Sequence, residues 1–285
     1  MKITDIKIGH ISIPLKRPFI TALREVHSVE DVVVKVITDT GHVGYGEAPP
    51  TGVITGDTTG AIIGAIEDHI KKSLIGLDLE NFEEIMIKLD KTVVKNTSAK
   101  AAVDIALYDL YGQLYNAPLY KLLGGYRKEI TTDLTISVNS PEEMAEDSMA
   151  AIEEGYKTLK IKVGKDANMD IKRMEAIRKA VGYDVDLRID ANQGWNVKEA
   201  IYTLRKMEDA GLNIELVEQP VPAHDFEGLK LVTDNVSIPV LADESIFSPM
   251  DAIKINRFQK CIQIRSFLGF CQPILSAKTI GKEGG

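Results

Sequence analysis

The sequence predicts an α/β protein in which an N-terminal α+β domain precedes a (β/α) barrel of TIM-like type, incomplete at about five β/α units. Three observations carry this. Strand-like alternation fills the first 40 residues and gives way to helical periodicity up to Gly124-Gly125. Beyond that point strand and helix patterns alternate five times, at a spacing of roughly 25–30 residues. The 285 residues exceed one small domain and suit a barrel wall plus a modest second domain.

In order, KITDIKIGHISIPL alternates apolar and polar residues, and VEDVVVKVITDT is rich in β-branched residues; both read as strands. Thr40-Gly41 ends the second strand, and GHVGYGEAPP reads as a Gly/Pro loop. Helices are expected over 58–73 and 80–93. A strongly amphipathic one is expected from Ser98 to Tyr115, with alanines at close-packing positions. PLYKLLGG stops it. In the second part the expected strands are TTDLTISV, TLKIKVG, DLRIDAN, IELVEQP and IPVLADES. Helices follow each: SPEEMAEDSMAAIEEG (Ser140 as N-cap, Pro141 at the first helical position, Gly155 as stop), MDIKRMEAIRKAVG, NVKEAIYTLRKMEDAG, DFEGLKLVTDN and SPMDAIKI. A doubly wound sheet is the rival architecture, but no Gly-rich phosphate loop follows the first strand.

Composition is that of an ordinary globular chain, 44% hydrophobic and 27% charged. A net charge of −8 argues against nonspecific nucleic-acid binding. No apolar run of about 18 residues predicts a membrane span, and MKITDIKIGH has no signal-peptide core, so a cytoplasmic location is expected. Two cysteines make no disulfide framework. Both, Cys261 and Cys271, lie in the last segment. Residues 254–285 carry six Lys or Arg and one acid, which leaves 28 basic and 41 acidic residues in 1–253. The expected organisation is a domain over 1–125, a partial barrel over 126–254 and a tail over 255–285 of aberrant composition.

The chemistry lies at the C-terminal ends of the parallel strands, where such folds keep their active sites. Lys160 and Lys162 end the second strand, Asp190 the third, Glu218 the fourth and Asp243 the fifth. Residues two apart on a strand face one side, so both lysines point into the same space. Taken singly, each is a common strand-edge or N-cap residue; four positions in register on successive strands are a site. Three converging carboxylates would repel one another, and an oxygen-only ligand set with open positions suits Mg2+. Such a metal can hold a substrate carboxylate and stabilise the enediolate left when the neighbouring C–H is deprotonated. A second ammonium and the metal would lower a lysine's pKa, letting Lys162 accept that proton.

This arrangement resembles the enolase superfamily, in the branch of muconate cycloisomerases, o-succinylbenzoate synthases and dipeptide epimerases, over roughly residues 1–254. The resemblance implies that residues 1–125 are a capping domain. It makes Asp190, Glu218 and Asp243 the Mg2+ ligands, Lys162 the catalytic base and Lys160 its neighbour at the substrate carboxylate. Within the branch the chain is most similar to dipeptide epimerases of the L-Ala-D/L-Glu type. PFITALREVHSVEDVVVKV resembles their capping loop, which implies that Arg24 binds a glutamate-like carboxylate; LTISV implies a substrate-contacting Thr135. The implied partner is a small dipeptide carboxylate, with neither nucleic acid nor membrane involved and a homo-oligomer allowed. Muconate cycloisomerase and o-succinylbenzoate synthase chemistry use the same metal and lysine and stay open as alternatives. So does a non-catalytic fragment or pseudoenzyme.

The family's second lysine, on the sixth strand, and the acidic residues of its final strand have no counterpart after DAIKI; Phe267 stands where that lysine is expected. A shifted reading frame from about residue 255 is the expectation drawn from the change in charge and the two cysteines. With Lys162 alone the chain is expected to exchange an α-proton on one face, with little or no epimerase turnover.

Overall fold

The computed structural model describes residues 1–127, 129–258 and 263–264. The chain divides into two compact units: Met1–Leu15 with Ser28–Glu129, and Lys16–His27 with the described residues from Ile130 on. No helix among the described residues is long and apolar enough to cross a membrane.

In the first unit β1 (Ile3–Ile20), β2 (Glu25–Thr38) and β3 (Val43–Ala48) form one sheet in that order, with β2 and β3 antiparallel. Helices α1 (Thr59–Ala65) and α2 (Lys71–Leu74) are joined by a π-helical turn, Ile66–Ile70, and α3 (Phe82–Thr92), α4 (Thr97–Leu114) and α5 (Leu119–Leu122) follow. The core is Ile6, Val32, Val34 and Val36 of the sheet against Ile62, Ile66, Ile70 and Leu107 of the helices.

One expectation fails here. GHVGYGEAPP is not a loop; its centre is strand β3, paired from Val43 to Ala48 with Ile37 to Val32. The glycines that suggested a loop are there for packing. Gly44 and Gly46, two apart, share a face. A Cβ on Gly44 would lie 2.1 Å from the Ala106 carbonyl oxygen, and one on Gly46 would lie 1.9 Å from that of Ala102. Helix α4 therefore lies directly on the bare backbone of β3, with alanines four apart at the contact.

The second unit repeats strand and helix: β4 (Leu134–Ile136), α6 (Pro141–Glu153), β5 (Thr158–Lys162), α7 (Ala167–Val181), β6 (Asp186–Asp190), α8 (Val197–Asp209), β7 (Ile214–Glu218), α9 (Phe226–Asn235), β8 (Val240–Ala242) and α10 (Pro249–Phe258). The strands pair in parallel in chain order, the wall of a (β/α) barrel. A sixth, β9 (Gln263–Ile264), pairs with β8 and was not anticipated from sequence. The remainder of the expected tail, with Phe267 and both cysteines, lies outside the described residues. Ser140 caps its helix as expected, in a capping box with Glu143, and Asn196 forms a second capping box with Glu199. Leu159, Ile161, Leu187 and Ile189 are fully buried in one cluster with Met174, Ile177 and Leu204 of the helices. The alternate strand positions are left for polar residues.

Gly46→Ala is expected to destabilise the first unit by at least about 2 kcal/mol, since the new methyl meets backbone that cannot yield. Gly60→Ala, with open space around its Cβ position, is the control and should be neutral or slightly stabilising. Urea unfolding followed by circular dichroism measures both; equal midpoints would contradict the packing account.

Candidate active site

Backbone register places the functional side chains. Thr135 stands beside Lys160, Lys162 beside Asp190, and Asp190 beside Glu218. Neighbours in a parallel ladder face the same side, so Lys162, Asp190 and Glu218 form one row. An irregularity opposite Leu187/Arg188 makes that row possible. Leu187 pairs with Ile214, yet Arg188 pairs with Leu216. Without the extra residue Asp190 would stand beside Val217. A bulge next to a site re-aims a side chain in this way. Asp243 lies two residues past Leu241, the partner of Glu218, just beyond the end of β8.

The charges are interlocked. The Lys160 ammonium lies 2.8 Å from Asp190 Oδ2 and 2.8 Å from Glu218 Oε2. Lys162 Nζ donates to Asp190 Oδ2 at 2.7 Å and to Asn192 Oδ1 at 2.9 Å. Asn192 in turn donates its backbone N–H to Asp190 Oδ1 at 2.9 Å and its side-chain amide to Glu244 Oε1 at 3.2 Å. All of these are buried or nearly so. Burial would lower the Lys160 pKa, but Asp190 and Glu218 outweigh it and hold it above the ordinary lysine value. Burial would likewise raise Asp190, and the charges of Lys162 and Lys160 outweigh it and pull its pKa down. Among the described residues no cation stands beside Asp243. Burial, a hydrogen bond to Glu218, and the charges of Glu218, Glu244 and Asp190 push it up to about 9. Glu244 is raised mainly by burial and next by Asp190.

Asn192, Glu244 and Gln219 complete the site and were not singled out from the sequence. Gln219 is fully buried; its Oε1 accepts the backbone N–H groups of Asp243 at 2.9 Å and Ser245 at 3.2 Å and so shapes the turn that carries Asp243. Asn192, Gln193 and Gln219 have φ of 43°, 68° and 38°. These left-handed conformations cost non-glycine residues about 1–2 kcal/mol each and concentrate at functional sites. The available signal was position: each follows a strand-terminal carboxylate by one to three residues.

Arg24 and Thr135 stand apart from this cluster. Thr135 is half-buried on β4, next to Lys160 in register. Arg24 sits in the β1–β2 turn, where its backbone carbonyl accepts the Thr21 N–H at 2.9 Å. Burial lowers its pKa, and among the described residues nothing pairs with its guanidinium. The turn is part of the second unit, where Ile20 N–H donates to Ser137 Oγ at 2.7 Å and a Cβ on Gly164 would lie 3.1 Å from Ala22 Cβ.

The donor set suits a hard divalent cation: carboxylate oxygens only, too many for the two ammonium groups present. Asp243 Oδ1 and Glu244 Oε2 are buried with no hydrogen-bond partner among the described residues. A buried carboxylate oxygen without a donor is costly, and a cation satisfies it. Among the described residues no three such side chains stand as a ready metal shell. The Lys160 ammonium occupies the space between Asp190 and Glu218 and provides the compensating charge there.

Residues 3–124 match the family described as mandelate racemase/muconate lactonizing enzyme, N-terminal domain, and residues 143–268 match the enolase C-terminal domain-like family. The chain is 66% identical over 261 residues to the L-Ala-D/L-Glu epimerase of Clostridium acetobutylicum, covering 92% of this chain and 73% of that one. Among solved structures it resembles the substrate-liganded L-Ala-D/L-Glu epimerase of Bacillus subtilis, with 49% identity, TM-score 0.92, and coverage of 99% of this chain and 80% of that one. It also resembles the Enterococcus faecalis dipeptide epimerase complexed with Mg and L-Leu-L-Tyr, with 40% identity, TM-score 0.91, and coverage of 99% and 80%.

The Asp243 shift has a signed consequence for metal-free protein. The folded chain keeps this proton up to about pH 9, whereas the unfolded chain loses it near 3.8. Stability contributed by this group therefore falls as pH rises through that window, by at most about 1.4 kcal/mol per pH unit for one proton. Asp243→Asn is expected to flatten that decline. Thermal melts in a chelator from about pH 5 to 9 measure it, and parallel profiles for wild type and variant would contradict the assignment.

Proposed function

Because the chain belongs to the enolase superfamily, in its mandelate racemase/muconate lactonizing branch, we propose that it is a Mg2+-dependent dipeptide epimerase. It acts on the α-carbon beside the free carboxylate of L-Ala-L-Glu-like dipeptides. One observation carries this reading: Lys162 Nζ stands 2.7 Å from Asp190 in a row that continues through Asp190 to Glu218, with a second lysine beside it. The similarity to L-Ala-D/L-Glu epimerases supports the substrate class.

Lys162 must first release one ammonium proton to solvent; its neutral amine then takes the α-proton onto Nζ as the C–H bond breaks, and the electron pair moves into the adjoining carboxylate. Lys160 presents its ammonium to that carboxylate and offsets the growing charge, which it does best in a site as buried as this one. Asp190, Glu218 and Asp243 would hold a Mg2+, which would supply positive charge that stabilises the deprotonated substrate. Asn192 keeps Lys162 aimed by accepting one of its hydrogens. Arg24, half-buried with no anionic partner among the described residues, binds the second carboxylate of a glutamate-like residue. Thr135 hydrogen-bonds the substrate next to Lys160. Epimerisation also needs an acid on the opposite face; the position where the family pattern expects a lysine is Phe267 in this chain, which lies outside the described residues.

Proton NMR of L-Ala-L-Glu in D2O tests the reading. The α-proton signal of the C-terminal residue is expected to disappear in the presence of protein and Mg2+. Lys162→Met should slow that loss by about 10²–10⁴-fold, the usual contribution of a positioned base. Arg24→Met should raise KM about tenfold with kcat little changed. Exchange that survives Lys162→Met, or proceeds equally in a chelator, would sink the proposal.

A further inference from the structure

One fully buried carboxylate lies outside the lysine–carboxylate cluster, on helix α7. Asp170 is 0% exposed. Its Oδ2 accepts the Gly164 backbone N–H at 2.9 Å and the Trp195 indole N–H at 3.1 Å. Its Oδ1 accepts from Arg173 at 2.7 Å, and Arg173 Nε donates to the Asn139 carbonyl at 2.7 Å. Gly164, Trp195 and Asn139 belong to the three loops that follow β5, β6 and β4. One helix turn thus holds three adjacent loops at the end of the sheet where the site lies.

The loops it joins carry the reacting groups. Gly164 is two residues past Lys162, and Trp195 is three past Asn192, the acceptor of the Lys162 ammonium. The two loops touch through bare backbone. A Cβ on Gly164 would lie 2.3 Å from the Ala191 carbonyl oxygen, and one on Gly194 would lie 2.2 Å from that of Gly164. At the strand ends the Val163 N–H donates to the Asp190 carbonyl at 3.0 Å, and beyond that bond Asp170 Oδ2 bridges the two loops through Gly164 and Trp195. The third loop holds the Arg24 turn, because Val138, next to Asn139, donates its N–H to Ile20 at 3.1 Å.

We propose that Asp170, braced by Arg173, is a positioning residue that fixes the distance between the Lys162 amine and Asn192 by clamping the loops after β5 and β6. The consequence for catalysis rests on Lys162 being the base; the clamp itself does not.

The test uses the full chain and two readouts. The first is the nitrogen-15 NMR resonance of the Lys162 ammonium in lysine-labelled protein, which reports its hydrogen bonds whether or not the protein turns over. The second is α-proton exchange of L-Ala-L-Glu with Mg2+. In Asp170→Asn the resonance is expected to shift or broaden, and kcat to fall by about 10–100-fold with KM within about threefold, as a misplaced base requires. If Asp170→Asn does not fold, Trp195→Phe serves, since it removes one strut and leaves Asp170 paired with Gly164 and Arg173; the same changes are expected at smaller size. An unchanged Lys162 resonance in the folded variant overturns the proposal, even if its melting temperature falls. So does a kcat unchanged in a variant that melts earlier. Should wild-type protein exchange no α-proton, the functional reading fails, and the Lys162 resonance alone decides the clamp.

Discussion

Two lysine ammonium groups share the ends of four neighbouring strands with four carboxylates, and the structure of the site follows from how those charges offset one another. Lys160 and Lys162 neutralise Asp190 and reach Glu218. Among the described residues Asp243 and Glu244 have no cation beside them, and burial with repulsion from neighbouring carboxylates raises the pKa of both. A buried cluster of this kind contributes little to stability, because desolvating its members costs about as much as their attraction returns. The proposed chemistry would account for its persistence: the excess carboxylates would hold a divalent cation, and the lysines would act on a substrate beside it.

Much of the second unit serves to hold that cluster in place. The irregularity before Arg188 turns Glu218 instead of Val217 toward Asp190. Left-handed backbone at Asn192 and Gln219 returns polar side chains to the strand ends from which they came. Bare glycine backbone lets the loops after β5 and β6 meet, and Asp170 spans them. None of these features adds a reacting group; each sets where one sits.

Legibility from sequence followed the physics of each feature. Strands β4–β8 and their helices were readable because parallel strands buried on both faces and amphipathic helices have distinct periods, and because Ser140 followed by Pro141 marks a helix start in sequence. Lys160, Lys162, Asp190 and Glu218 were readable because each is a polar residue ending an apolar strand. Strand β3 was misread because Gly44 and Gly46 signal a loop locally, and their true role depends on Ala102 and Ala106 some 60 positions away. The bulge opposite Leu187/Arg188 and the contacts of Asn192, Gln219 and Asp170 were not readable, since register and long-range hydrogen bonds leave no local period. The two-residue β9 is too short to produce one.

The central claim is that the carboxylates at the strand ends take up a divalent cation in exchange for the proton that Asp243 now carries. Calorimetric titration of metal-free protein with Mg2+ near pH 8, in two buffers of different protonation enthalpy, measures affinity and proton release together. One saturable site per chain with release of about one proton, both lost in Glu218→Gln, is the predicted result. Absence of saturable binding, or binding with no proton released and no loss in Glu218→Gln, would contradict it.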